Sequence, residues 1–443
     1  IKLISDQLSW LLQVTQGWPA LVQLSIGRNL AGNKKQSQQI SASGPIDEYI
    51  YERFLAGMEI SERNDLWSLA CIGSAPFEVL WLVCSTGLNA SLSRFSKIGV
   101  VQEENNSGLK CIRLHPLVRE AALRFIGEAR PQLKQDIHLT AANWYWKNGY
   151  GEYAVDLLLR VGAGQLDQSR EWILDIAERL IFRTGQHNVV IDLVERWEHV
   201  AQGSDPALDS MAAWALVFTR RFEEANIRID RALSFNENPG VEILQKAIIA
   251  ALKDDFESAG MLATRWLKKS APDNSFYTGA ALTVHAFDMK CIGDLSSAKT
   301  ALFEAQVAFS EARSSYGTCW AYIVGALALI KAGRHRDALA EVERGYSIGC
   351  EAFGVRRNSP ILGGIEAFLR YQRNELEEAR NVLDEALVLT TDLGVVDSIV
   401  LGFTAAARLQ VVQGNLGGAL DILAKGERCG AQRGFHRLSL SLA

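Results

Sequence analysis

One short pattern returns at nearly constant spacing from about residue 132 onward, and it restricts the fold more than any other feature of the chain. A Gly or polar turn residue is followed two positions later by a large, usually apolar residue, and three positions after that by Ala. Clear copies are Gly293–Ala298, Gly333–Ala338, Asn374–Ala379 and Gly414–Ala419. Weaker copies centre on Ala154, Val190, Ala225 and Ala259. The successive key positions are 36, 35, 34, 39, 40, 41 and 40 residues apart. This period describes a helix–turn–helix unit stacked many times. The turn residue closes a first helix, A, and the small Ala lets the second helix, B, approach its neighbour closely. In the unit at Asn374, the residues Leu376, Ala379, Leu383 and Ala386 fall on one helical face. A tetratricopeptide unit repeats every ~34 residues, so units of 39–41 require longer helices or loops. One unit cannot bury its apolar face alone, and stacking makes the array stable.

The rest of the 443 residues also reads as mainly α, rich in Ala, Leu, Glu and Arg, with only nine Pro to interrupt helices. The exception is residues 98–114. Two β-prone runs, Ile98–Val101 and Leu109–Leu114, flank the polar stretch Gln102–Gly108, which predicts a hairpin around Asn105-Asn106-Ser107-Gly108. Helices are expected before it over Pro45–Met58, Glu62–Cys71, Pro76–Ser85 and Ser91–Lys97, and after it over Pro116–Gly127. Several helices plus one hairpin within 45–130 outline a winged-helix domain. Ahead of it, the helical runs Leu3–Val14 and Ala20–Leu30 are joined by Thr15-Gln16-Gly17-Trp18-Pro19, with Gly17 closing one helix and Pro19 opening the next. Residues 31–44 are polar and Gly/Ser-rich and read as an exposed linker. The expected order is therefore helices plus linker over 1–44, a winged helix over 45–130, and a tetratricopeptide-like α-solenoid over 131–443.

Charge and composition exclude several roles. The net charge is −5: residues 1–130 carry 13 basic against 12 acidic side chains, and the remainder 33 against 39. Neither part has the positive excess that holds a nucleic-acid backbone. The seven Cys are scattered without a CxxC pair, as suits small core residues in a reducing cytoplasm. The longest near-continuous apolar run, Cys319–Ile330, has 12 residues, short of the ~20 that a membrane span needs. No signal peptide opens the chain, and its first residue is Ile, so it reads as a piece of something longer. The His residues lack metal-ligand spacing, and no GxxxxGK[ST], GxSxG or dinucleotide fingerprint occurs. No catalytic residue, metal ligand or enzymatic activity is expected of this chain itself.

Three local signatures then stand in a fixed order. Leu11–Leu21 contains Gly17-Trp18-Pro19, Arg113–Glu120 contains Leu114-His115-Pro116, and His138–Gly149 contains Trp144-Tyr145-Trp146 and runs into Ala154. Together with the helical array they resemble, over essentially the whole chain, the MalT-like large LuxR-type transcriptional activators, a branch of the STAND class of signal-transducing ATPases. The resemblance implies a P-loop ATPase domain ahead of the helical subdomain, winged helix and sensor superhelix, and a DNA-binding helix-turn-helix after them. Neither end is present in this sequence, so ATP or ADP is expected only with the missing ATPase domain. By the resemblance, Gly17 and Pro19 match the family's Gly-x-Pro turn against the nucleotide base. Likewise, His115 matches the histidine of a Met-His-Asp motif that senses the ADP phosphates; Leu114 stands in for Met, and Pro116 replaces Asp, whose role is lost. An imidazole N–H can donate to a phosphate oxygen, with the positive end of a helix starting at Pro116 nearby.

The resemblance also implies an inducer or regulatory protein on the superhelix, self-association in the active state, DNA contact only through the missing C-terminal domain, and no membrane. An inducer is expected on the concave face, which A helices line. Their aromatics supply candidates: Trp214 with Phe218, Tyr277 with His285, Trp320 with Tyr322, and Phe368 with Tyr371. Arg356, next to Arg357, could meet an anionic group. Aromatics at this spacing are more often core than ligand contacts, and the Arg pair could as well be a solvated loop. An alternative role is a non-enzymatic repeat scaffold that binds protein segments.

Overall fold

The computed structural model describes residues 57–97, 99–106, 108–127, 130–235, 240–269, 274–353 and 359–442. Gly17, Pro19 and Arg356 lie outside these residues, as do the expected helices Leu3–Val14 and Ala20–Leu30. The chain divides into two compact units between Ser169 and Arg170.

The first unit runs α1 (Ile60–Ile72), β1 (Ser74–Pro76), α2 (Phe77–Val83), α3 (Leu88–Lys97), β2 (Val101–Asn106), β3 (Leu109–Leu114), α4 (Pro116–Gly127), α5 (Pro131–Lys147) and α6 (Gly151–Val161). The antiparallel sheet has the order β1-β3-β2, with Val101 opposite Leu114 and Ser74 opposite Arg113. The expected hairpin is present with its second strand where expected, but the first starts only at Val101 and runs into the polar stretch to Asn106. β2 is an edge strand, and polar residues are tolerated and protective there. Strand β1 was not expected: three residues ending in Pro carry no alternation, and it exists because β3 offers an edge. Trp67, Leu80 and Phe95 fill the core between the helices and the sheet. Buried Asp65 on α1 accepts from the Ser85 N–H (2.7 Å), the Ser85 hydroxyl (2.9 Å) and the Ser91 hydroxyl (2.7 Å). Three donors satisfy the carboxylate and tie α1 to α3.

In the second unit, helices alternate between the A and B roles. The A helices are α7 (Leu166–Phe182, which spans the division), α9 (Pro206–Phe218), α11 (Val241–Leu252), α13 (Ser275–Ile292), α15 (Ser315–Lys331), α17 (Ser359–Gln372) and α19 (Val396–Val412). Between them lie the B helices α8 (His187–Ala201), α10 (Phe222–Ser234), α12 (Phe256–Lys268), α14 (Leu295–Glu311), α16 (His335–Phe353), α18 (Leu376–Leu393) and α20 (Leu416–Arg433), and α21 (His436–Leu442) ends the stack. The lengthened period comes from longer helices. α9 to α12 have 13, 13, 12 and 13 residues, whereas α13 to α16 have 18, 17, 17 and 19. Among the described residues, no helix is long and apolar enough to cross a membrane.

The repeat pattern has a structural cause at each of its positions. Ala154, Val190, Ala225, Ala259, Ala298, Ala338, Ala379 and Ala419 are all buried. Five residues before each, at Gly149, Gly185, Arg220, Asp254, Gly293, Gly333, Asn374 and Gly414, the backbone has positive φ. The N–H one residue further bonds back across the turn, as in Asp294 N to Met289 O (2.9 Å) and Arg334 N to Leu329 O (2.8 Å), which satisfies carbonyls left over at the end of helix A. The same residue starts helix B, and Asp255, Asp294 and Asn415 accept there from the N–H groups of Ser258 (3.1 Å), Ser297 (3.0 Å) and Gly418 (2.9 Å). Gly333 has φ +72° and open space where a Cβ would stand. Gly333→Ala therefore costs about 1–2 kcal/mol through the backbone alone, to be read from the urea midpoint of the chain.

Candidate functional site

The array of the second unit folds back on itself, so that turns distant in sequence meet. The Ser314 hydroxyl donates to Phe182 O (2.7 Å), 132 residues away. The Arg220 guanidinium reaches Gly394 O (3.5 Å), 174 residues away. Lys290 Nζ meets Asp397 Oδ1 (2.8 Å) across 107 residues, and Arg437 Nε meets Asp254 Oδ1 (3.0 Å) across 183.

Among the described residues, this arrangement forms two half-open cavities that matter here. The first, about 70 Å³, is walled by A-helix residues, among them Phe218, Ile248, Phe287, Trp320 and Val324, with Phe309 from α14 and Val395 ahead of α19. Of the polar groups in its wall, the Thr283 hydroxyl donates to Gly279 O (2.8 Å), and Tyr316 lies one helical turn from Trp320. Burial pushes the Tyr316 hydroxyl up to about 12, against smaller lowering effects of Trp320 and Arg220. Burial also pushes Arg220 down to about 10.

The second cavity, about 450 Å³, is lined by Phe256, Lys290, Leu327, Lys331, Asp397 and Arg437 among others. Lys290 is only 3% exposed; besides Asp397 it lies over the Phe287 ring, 4.4 Å from its centroid. Arg437 bridges Asp254 and Asp397, with Nη2 2.9 Å from Asp397 Oδ2. Burial alone would raise the Asp397 carboxyl, but Lys290 and Arg437 outweigh it and hold it well below the usual carboxylate range. Burial would lower Arg437, and its two carboxylates reverse that. Lys331 Nζ donates to Lys290 O and Cys291 O (2.9 Å each), capping the C-terminal end of α13.

The residues singled out from the sequence are scattered over this unit and the first. Trp214 is fully buried and stacks on buried Tyr277 with ring centroids 5.6 Å apart, in a cluster with Phe182 and Phe276. Trp320 and Phe218 line the apolar cavity, as does the neighbouring Tyr316. Tyr322 is half-buried against α16, beside Glu341 and Arg344. His285 meets Thr264 (3.3 Å) on α12, and Phe368 and Tyr371 pack in the core between α17 and α19. His115 is buried at the junction of β3 and α4 in the first unit. The ionic group Lys290–Asp397–Arg437 had no local sequence signal beyond a lysine in an otherwise apolar helical run.

Stacked two-helix units with an Ala-packed turn and an internal cavity define a tetratricopeptide-like helical-repeat protein. Residues 242–443 match the family described as the MalT-like TPR region, which bears out over that stretch the resemblance read from the sequence. The chain is 21% identical over 98% of its length to the HTH-type transcriptional regulator AlkS of Ectopseudomonas oleovorans, covering 49% of that protein. It is 22% identical over 96% of its length to the serine/threonine-protein kinase PknK of Mycobacterium tuberculosis, covering 39% of it. It thus spans about half, or less, of the length of these relatives. A STAND protein with a tetratricopeptide repeat sensor from Pyrococcus horikoshii aligns at 15% identity and a TM-score of 0.39, over 100% of this chain and 59% of that one.

Proposed function

We propose that this chain is the sensor and regulatory part of an ATP-dependent LuxR-type transcriptional activator, working in the cytoplasm. The observation that carries the reading is its alignment, over 98% of its length, with half of a regulator named as HTH-type. In this reading the helical array binds an inducer or regulatory protein, and residues 45–130 form a winged helix that holds an ADP-bound off state. DNA contact and nucleotide turnover belong to parts outside this chain, and self-association accompanies the active state. The inducer acts only through different affinities for the two states.

His115 suits a phosphate contact in kind. It directly precedes α4, and its carbonyl accepts the Arg119 N–H (2.9 Å) in the first helical turn, so it stands at a helix N-terminus, where anions are favoured. Bound ADP supplies the phosphate charge that such a residue can sense. Gly17 and Pro19 would lie against the base. In the full-length protein, His115→Ala raises reporter transcription without inducer; a variant that follows the parent at every inducer concentration would sink the phosphate role. Retention of one stoichiometric protein partner, indifferent to ADP, together with an unresponsive reporter, would instead favour the scaffold role.

A further inference from the structure

The two cavities of the array lie end to end along the same helices. Phe287 and Val324 line the apolar one; Lys290 and Leu327, three residues further along α13 and α15, line the polar one. Val395 belongs to the first, and the adjoining Val396 and Asp397 to the second. The two ends ask for different chemistry. At the apolar end the Thr283 hydroxyl is already bonded to Gly279 O and nearly all of the other lining residues are apolar, so a polar guest would lose water with few partners to gain. At the polar end the wall carries Lys290, Lys331 and Arg437 against one lining carboxylate, Asp397, with Asp254 behind Arg437. The bonds of Lys331 to Lys290 O and Cys291 O are to neutral carbonyls. The 17-residue helix α19 also starts at this end, and its N-terminal dipole adds positive potential.

We propose that the two adjacent cavities together bind a small amphipathic anion, with a hydrocarbon chain against Phe218, Phe287 and Trp320 and a carboxylate at Lys331 and Arg437. This rests on the sensor reading of the array and names the class of its ligand. A plain hydrocarbon leaves the excess positive charge unmatched. An inorganic anion leaves the apolar end without an occupant.

The test is calorimetric titration of the whole chain with hexanoate, octanoate, octanol and inorganic phosphate. Octanoate binds, hexanoate binds more weakly by about fourfold for each methylene lost from the apolar cavity, and octanol and phosphate bind far more weakly. Lys331→Gln, at an exposed position, lowers octanoate affinity about fivefold and leaves octanol unchanged, a split that damage to the fold would not produce. Val324→Phe, which fills the apolar end, abolishes the dependence on chain length; if this variant does not fold, the carboxylate series on the parent chain carries the same test. Absence of octanoate binding, equal affinity for octanoate and octanol, or no dependence on chain length would each overturn the proposal. The reporter test with His115 uses none of these residues. Failure here with success there means another ligand class, and failure of both ends the sensor reading.

Discussion

Asp397→Ala lowers the unfolding free energy of the array by about 3–5 kcal/mol, the cost of stranding a buried charge. Lys290, 3% exposed, loses its carboxylate partner, and Arg437 keeps only Asp254. Lys290→Met costs clearly less, because it removes the buried charge with its stem largely retained, and Asp397 still meets Arg437 at 2.9 Å. Equal losses in the two variants would contradict a buried pair. The effect also carries a pH signature. The folded Asp397 carboxyl is held below the usual range, while the unfolded one titrates near 3.9, an approximate reference value. A depressed folded value means that the stabilisation is complete above the unfolded value and is lost as pH falls through the folded one. Urea midpoints of the parent and of Asp397→Ala therefore differ most at neutral pH and converge at the acid end.

Gly364→Ala is expected to cost about 1–3 kcal/mol by overpacking. A Cβ at Gly364 on α17 would lie 2.5 Å from the Ser398 carbonyl oxygen and 3.0 Å from Thr390 Cγ2. The first neighbour is backbone of α19 and cannot rotate away. From the other side, a Cβ at Gly402 would come within 3.3 Å of Gly364 Cα, so the two A helices meet at their glycines. Gly325, on α15, is the contrast: its nearest neighbour would be Glu341 Oε2 at 3.5 Å. There Ala fits and helix propensity decides, so Gly325→Ala raises stability by about 0.5–1 kcal/mol. A pair of thermal melts separates the two cases, and a neutral Gly364→Ala would mean that α17 and α19 do not approach so closely.

Much of the fold could be read from residues close together in the chain. The turn residue, the cap after it and the buried Ala lie within six positions, and the bonds that shape the turn span six residues or fewer, as in Asp294 N to Met289 O and Asp294 Oδ1 to Ser297 N. The helix Pro116–Gly127 was legible to the residue for the same reason. The candidate site was legible only in part. Trp320 and Phe218 do line a cavity, whereas Trp214 and Tyr277, with the same helical spacing, stack in the core. Aromatic spacing tells which residues share a helical face. It does not tell which part of that face a neighbouring helix covers.

By itself, then, the sequence determined the repeat: its period, the places of its turns and the small residues on which the B helices pack. Only the tertiary structure decided that Asp254 meets Arg437 and that Lys290 meets Asp397, across 183 and 107 residues. It also decided that Ser74–Pro76 pairs with β3. Turn and cap are short-range hydrogen bonds, fixed by neighbouring residue types. Closure of the array sums small rotations over successive units, and a strand without its own alternation takes its partner from whichever edge is free, so neither is written in any local stretch of chain.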